Sequence, residues 1–120
     1  MAITWTCDGC DKPIADGEGY IAVAYSDIRK TEEAREAWER ANPGPMFTGA
    51  ALMAYPKDAR WHALHRDCDP LPDAADYWFG VERLRTIRHA LDWTLHLMGK
   101  VWLPCTDWVA FLRRVVKLDA

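Results

Sequence analysis

The sequence has no excess of basic charge, no long apolar run and no leader-like start, and each lack narrows what the chain can be. Its 15 Lys and Arg stand against 18 Asp and Glu, a net charge of −3. Counted by halves, residues 1–60 carry seven basic and ten acidic side chains, and residues 61–120 carry eight of each. A protein that lives on phosphate contacts shows a clear basic excess or stripe. Here the densest patch is Arg113, Arg114 and Lys117, with Arg83, Arg85 and Arg88 as a second set. Nucleic acid is therefore the alternative partner, and another protein is the expected one.

The longest uncharged stretch, Asn42 to Pro56, is broken by three prolines and two glycines. It is shorter than the about 18 apolar residues of a membrane-spanning helix, so no membrane partner is expected. The start, Met1-Ala-Ile-Thr-Trp5, runs almost at once into Cys7, without the charged leader and apolar stretch of a signal peptide. That sets the expectation of a cytoplasmic protein with reduced thiols, in which clustered cysteines point to metal rather than to disulfides. Internal repeats and low-complexity tracts are also missing.

What the chain has is seven Trp and four Cys among 120 residues, half of them hydrophobic. This is enough apolar mass for one domain. The expected division is a zinc lobe from 1–25 and 56–72, an inserted helix and loop over 26–55, and a helical part over 73–120. The zinc lobe alone is too poor in apolar residues to hold itself together, the situation in which small units use a metal.

Coarse patterns place the elements. Cys7-Asp-Gly-Cys10 is a tight turn, Asp16-Gly-Glu-Gly19 is turn chemistry, and Tyr20-Ile-Ala-Val-Ala-Tyr25 suits a strand. A helix is expected from Ser26 or Thr31 to Ala41, with Thr31 as N-cap and Ala34, Ala37, Trp38 and Ala41 on one face. Met46 to Tyr55 is ambiguous between strand and loop, and Trp61 to Leu64 predicts a second strand. A long helix is expected from Ala74 or Gly80 to Met98, because Trp78, Val81, Leu84, Ile87, Leu91, Leu95 and Met98 recur at spacings of three and four. After a break at Gly99 to Pro104, Thr106 is the expected N-cap of a last helix to about Lys117, with Trp108, Leu112, Val115 and Val116 inward.

The strongest signal is the pairing of Cys7-x2-Cys10 with His65-x2-Cys68. Zinc takes four borderline or soft ligands in a tetrahedron, and two residues between ligands let the backbone turn so that both side chains meet one ion. Three thiolates and one neutral imidazole leave no open coordination position. The expected cofactor is thus a single structural Zn2+ on Cys7, Cys10, His65 and Cys68, with His62 as the alternative to His65. A redox CxxC sits at a helix N-terminus after a strand, whereas this one precedes turn signals. Cys105 stands alone, as a buried thiol.

The string Cys7-x2-Cys10-x3-Ile14, Gly17-Glu18, Trp61 and His65-x2-Cys68 resembles the first finger of LIM domains and other treble-clef zinc fingers. That resemblance covers about a third of the chain. It implies a Cys-x2-Cys knuckle and a His-x2-Cys pair at or near the start of a helix. Fifty-four residues separate Cys10 from His65, which marks the segment around 26–60 as an insertion, and the second LIM cluster is missing. More broadly, Trp61-x3-His65-x2-Cys68-Asp69-Pro70, Tyr77-Trp78-Phe79 and His96-Leu97-Met98-x-Lys100-x-Trp102 resemble small proteins of actinobacteria and their phages. The Ala-, Arg-, Asp- and Trp-rich composition fits a GC-rich genome.

The expected fold is α+β, a treble-clef-like zinc lobe with a short antiparallel sheet packed on two or three C-terminal helices. The expected function is that of a structural-zinc interaction or regulatory module, and the second resemblance implies a phage-encoded or host protein. No catalysis is expected. His62, Asp67 and Asp69 could suit a metal-dependent nuclease, but no His-Asn pattern accompanies them. His89 and His96 lie about 10.5 Å apart along a helix, too far to share one ion without a third partner. Asp92 and His96 are spaced for a surface ion pair. Trp78, Trp93, Trp102 and Trp108 are expected in the core, and any of them left exposed would mark a protein-binding patch.

Overall fold

A computed structural model describes residues 2–44, 46–69 and 76–116. The sheet is built on β1 (Gly19–Ala24), whose alternation sends Ile21 and Val23 into the core and Tyr20 to the other face. β2 (His62–His65) pairs antiparallel on one side of it and β3 (Asp76–Gly80) antiparallel on the other, giving the order β2-β1-β3. Gly19 faces His65 across the first ladder, and Ala22 faces Trp78 across the second.

β1 runs without a break into α1 (Tyr25–Ala41), which buries Ile28 and Thr31. The expected N-cap at Thr31 is therefore wrong. The helix starts six residues earlier, and the Thr31 hydroxyl donates to the Lys57 carbonyl. The expected face of Ala34, Ala37 and Ala41 is exposed, because the buried row runs from Ile28 through Thr31 to half-buried Arg35 and Trp38. Met46 to Tyr55, read as strand or loop, contains a short helix, α2 (Gly49–Met53), capped by the Thr48 hydroxyl, which accepts from the Ala51 amide.

The expected long helix is the main correction. Tyr77-Trp78-Phe79 belongs to β3, Val81–Arg83 is a 3-10 turn, and the helix proper, α3, spans Ile87–Leu97 with Thr86 accepting from the His89 amide as N-cap. Ala74 lies outside the described residues. β-favouring aromatics that fill the free side of β1 outweigh a helical count that happens to run through them. Within α3, Ala90 and Leu97 are buried, whereas Ile87, Leu91 and Leu95 are exposed, as is Met98 just beyond the helix. The last helix, α4 (Trp108–Arg113), buries Trp108 and Phe111. Thr106 does not cap it. The Thr106 hydroxyl donates to the Leu103 carbonyl, and Asp107 holds the N-cap position while its carboxylate accepts from the Trp61 amide at 2.7 Å. Lys117, the expected end, lies outside the described residues.

The core is aromatic. Trp5 stacks on Phe111 at 4.7 Å, Phe79 on Trp93 at 4.0 Å, and Trp61 meets Trp108 edge-on at 4.8 Å. Leu84, Leu97, Ile21 and Val81 fill the spaces between the rings. No helix among the described residues is long and apolar enough to cross a membrane.

Candidate metal centre

The knuckle forms because the chain from Trp5 to Ile14 folds back on itself. Ile14 N–H donates to the Trp5 carbonyl, Cys7 N–H to Lys12, and Asp11 N–H to Cys7, each at 2.9 Å. Asp11 takes the left-handed conformation this turn needs (φ 60°), which acidic and amide side chains tolerate better than most. A Cβ on Gly9 would stand 3.3 Å from Cys68 Cβ, so glycine lets the knuckle approach the second ligand pair closely. Gly9 N–H points at Cys7 Sγ at 3.3 Å.

The second pair is delivered by the sheet. His65 ends β2, opposite Gly19, where a Cβ would stand 2.3 Å from the Leu64 carbonyl. Any side chain there would push β2 off β1. Arg66 N–H donates to Glu18 and starts the 3-10 turn Arg66–Cys68 that swings Cys68 back towards the knuckle. The chain thus reaches its second pair at a 3-10 turn rather than at the start of an α-helix.

These elements bring Cys7, Cys10, His65 and Cys68 together, with one donor atom from each lying within 4.8 Å of all the others. Cys10 Sγ is 3.3 Å and Cys68 Sγ 4.0 Å from His65 Nδ1, and the His65 amide approaches Cys7 Sγ at 3.4 Å. Ligands held about 2.0–2.3 Å from one zinc lie about 3.3–3.8 Å from one another, so modest closure of this cluster meets the tetrahedral requirement. His65 Nε2 lies 3.0 Å from the Pro13 carbonyl. Donation there leaves Nδ1 as the lone-pair nitrogen facing the sulfurs, the carbonyl–imidazole arrangement that orients metal-bound histidines. The donor set fits one zinc.

The protonation equilibria reflect the crowding. Burial works against the Cys7 thiolate, yet the amides of His65, Cys10 and Gly9 hold its pKa down to about 6. The Cys68 thiol is pushed up to about 11 by burial and by the neighbouring Cys10 and Cys7 sulfurs. Sulfurs so close cannot all ionise unaided, and a divalent cation held among them would supply the missing charge.

His62, the alternative ligand, is not in the cluster. Its Nδ1 lies 3.5 Å from an Asp8 carboxylate oxygen. Cys105 is half-buried in a 3-10 turn and is not a member of the cluster, and its carbonyl accepts from the Ala59 amide. His89 accepts from the Arg85 amide and His96 packs edge-on against Trp93. Asp69 accepts from the Tyr20 hydroxyl.

Two contributors were not foreseen from the sequence. Pro13 supplies the carbonyl for His65. Asp8, inside the knuckle, exchanges bonds with Ala63 through its amide (2.8 Å) and carboxylate (3.1 Å), and its second oxygen accepts from Arg114 at 2.7 Å. Burial acts against the Asp8 carboxylate, but Arg114 and the Ala63 amide hold its pKa below the ordinary value. An acidic residue between two ligands carries no sequence signal for such a tie, because both partners are remote.

Beside the cluster lies a cleft of about 540 Å3 lined by Tyr20, Arg66, Asp69, Asp76, Trp78 and Arg83, among others. Trp78, expected in the core, is 63% exposed there, with its ring 5.9 Å from that of Tyr20. Comparison with protein-family models, with curated proteins and with solved structures finds no match to the chain.

Proposed function

We propose that the chain is a structural-zinc interaction module in which the metal positions a docking cleft for another protein. The observation that carries this reading is the exposed Trp78 in a cleft whose Arg66 and Asp69 walls flank the cluster residue Cys68. An ion that fixes Cys68 fixes those walls, so the metal acts by position and not by chemistry. Three sulfurs and one nitrogen fill a tetrahedron and leave no place for substrate. An exposed tryptophan with charges of both signs around it suits a peptide segment with an aromatic or apolar anchor and a polar rim.

Nucleic-acid binding is the less favoured reading. Arg85 is spent on Asp16 and on the carbonyls of Ile3 and Ile14, and Arg114 on Asp8. Each basic set expected from the sequence thus loses a member to an internal tie.

The test uses zinc-loaded protein and its Trp78→Ala variant, immobilised side by side in native host extract, with gel shifts on random DNA and RNA at low salt. A protein held by the wild type, released by chelation and not held by Trp78→Ala supports the reading. Equal retention by both proteins, or a salt-sensitive shift of nucleic acid, overturns it.

A further inference from the structure

α3 is apolar on two faces, and only one of them is used. Its inner row, Ala90, Trp93, Thr94 and Leu97, packs on the core, with Trp93 stacked on Phe79 and Thr94 accepting from the Trp108 indole. A second row, Ile87, Leu91 and Leu95, continuing to Met98, is 45%, 58%, 59% and 67% exposed. At 3.6 residues per turn these four side chains fall within about 80° of helix circumference, centred about 105° from the inner row. They form a stripe, whereas singly scattered surface apolar residues would need no explanation.

The charges beside the stripe indicate what covers it. Exposed Arg88 and Asp92 border it on the side away from the core, one turn apart and opposite in sign. Neither forms an ion pair among the described residues. In an antiparallel pair of identical helices related by a two-fold axis, like edges meet, so each Arg88 faces the edge that carries the partner copy's Asp92. With Leu91 on the axis, Ile87 lies opposite the second copy's Leu95, and Arg88 is offset from the second copy's Asp92 by only about 3 Å along the helix. The stripe is self-complementary in both shape and charge. By the same rule both cores lie on the opposite side of the helix pair from Arg88 and Asp92, with their directions diverging by about 30°.

We propose that the protein self-associates through α3 as an antiparallel, two-fold symmetric dimer, with the Ile87–Leu91–Leu95–Met98 stripe at its centre and reciprocal Arg88–Asp92 pairs at its rim. A single helix from each copy makes a small interface, which places the dimer in the weak, reversible class. The pairing uses none of the residues named for the Trp78 cleft, so either proposal can fail without the other.

Analytical ultracentrifugation of the zinc-loaded chain at low salt, from about 10 µM to about 1 mM, reads the association constant directly. Expected is a monomer–dimer equilibrium that Leu91→Asp weakens at least tenfold, with the circular dichroism spectrum and melting temperature unchanged because the site is exposed. Arg88→Asp and Asp92→Arg should each weaken it several-fold, and the double reversal should restore it. A chain that stays monomeric throughout leaves the stripe to a foreign partner and overturns the proposal. So does a dimer indifferent to Leu91→Asp, or one that the double reversal fails to rescue.

Discussion

Around the metal cluster the chain has little apolar mass. Cys7 and Ile14 are buried there, but Cys10, Asp11 and Lys12 are exposed, and the ties between distant segments are hydrogen bonds from Asp8, His65 and Arg66. A few ångströms away, Trp5, Trp61, Phe79, Trp108 and Phe111 meet ring against ring and are 3% exposed or less. The first region has its donors in place, close enough together for one ion to hold them. The second depends on excluding water and needs nothing added. Trp5 joins the two, since its carbonyl closes the knuckle while its ring lies on Phe111.

The largest effect should follow from breaking the first region. Cys7→Ser removes a buried donor, and structural zinc contributes about 10–16 kcal/mol in finger peptides, comparable to the about 5–15 kcal/mol of a whole domain. The variant should lose stoichiometric zinc, and amide exchange in residues 5–14 and 62–68 should rise towards unprotected rates while the aromatic core keeps some protection. Equal loss of protection in both regions would show that they are one cooperative unit and erase the distinction.

A smaller effect sharpens the view of the second region. Trp5 and Trp61 are equally buried, at 1% exposure. The Trp5 indole N–H donates to the Leu84 carbonyl at 2.8 Å, whereas that of Trp61 has no hydrogen-bond partner among the described residues. Trp5→Phe therefore strands a buried carbonyl, while Trp61→Phe removes an unpaired donor. Chemical denaturation should find Trp5→Phe less stable than Trp61→Phe by about 1–3 kcal/mol. The reverse order would mean that ring packing alone sets the stability of the core.

The cluster of Cys7, Cys10, His65 and Cys68 was legible because a metal site is written in local spacing: two residues between candidate ligands, twice. His65 was separable from His62 on the same ground, by its distance from Cys68. The strand at β1 was legible from its β-branched and aromatic run. The strand at β3 was not, since Tyr77-Trp78-Phe79 continues a spacing of three and four, and pairing with β1 more than fifty residues earlier leaves no local trace. The stripe on α3 shows the same limit. Periodicity shows that Ile87, Leu91 and Leu95 share a face but not that Ala90, Trp93 and Leu97 are the ones the core covers. Thr86 and Thr48 cap helices and Thr31 does not, because β1 runs straight into α1 and leaves no end to cap at position 31.

X-ray absorption at the zinc edge of the metal-loaded chain tests the four-residue site most directly. Expected are three sulfur atoms at about 2.3 Å and one nitrogen at about 2.0–2.1 Å, with no oxygen in the shell. Fewer than three sulfurs, or a coordinated water, would contradict a closed structural site on Cys7, Cys10, His65 and Cys68.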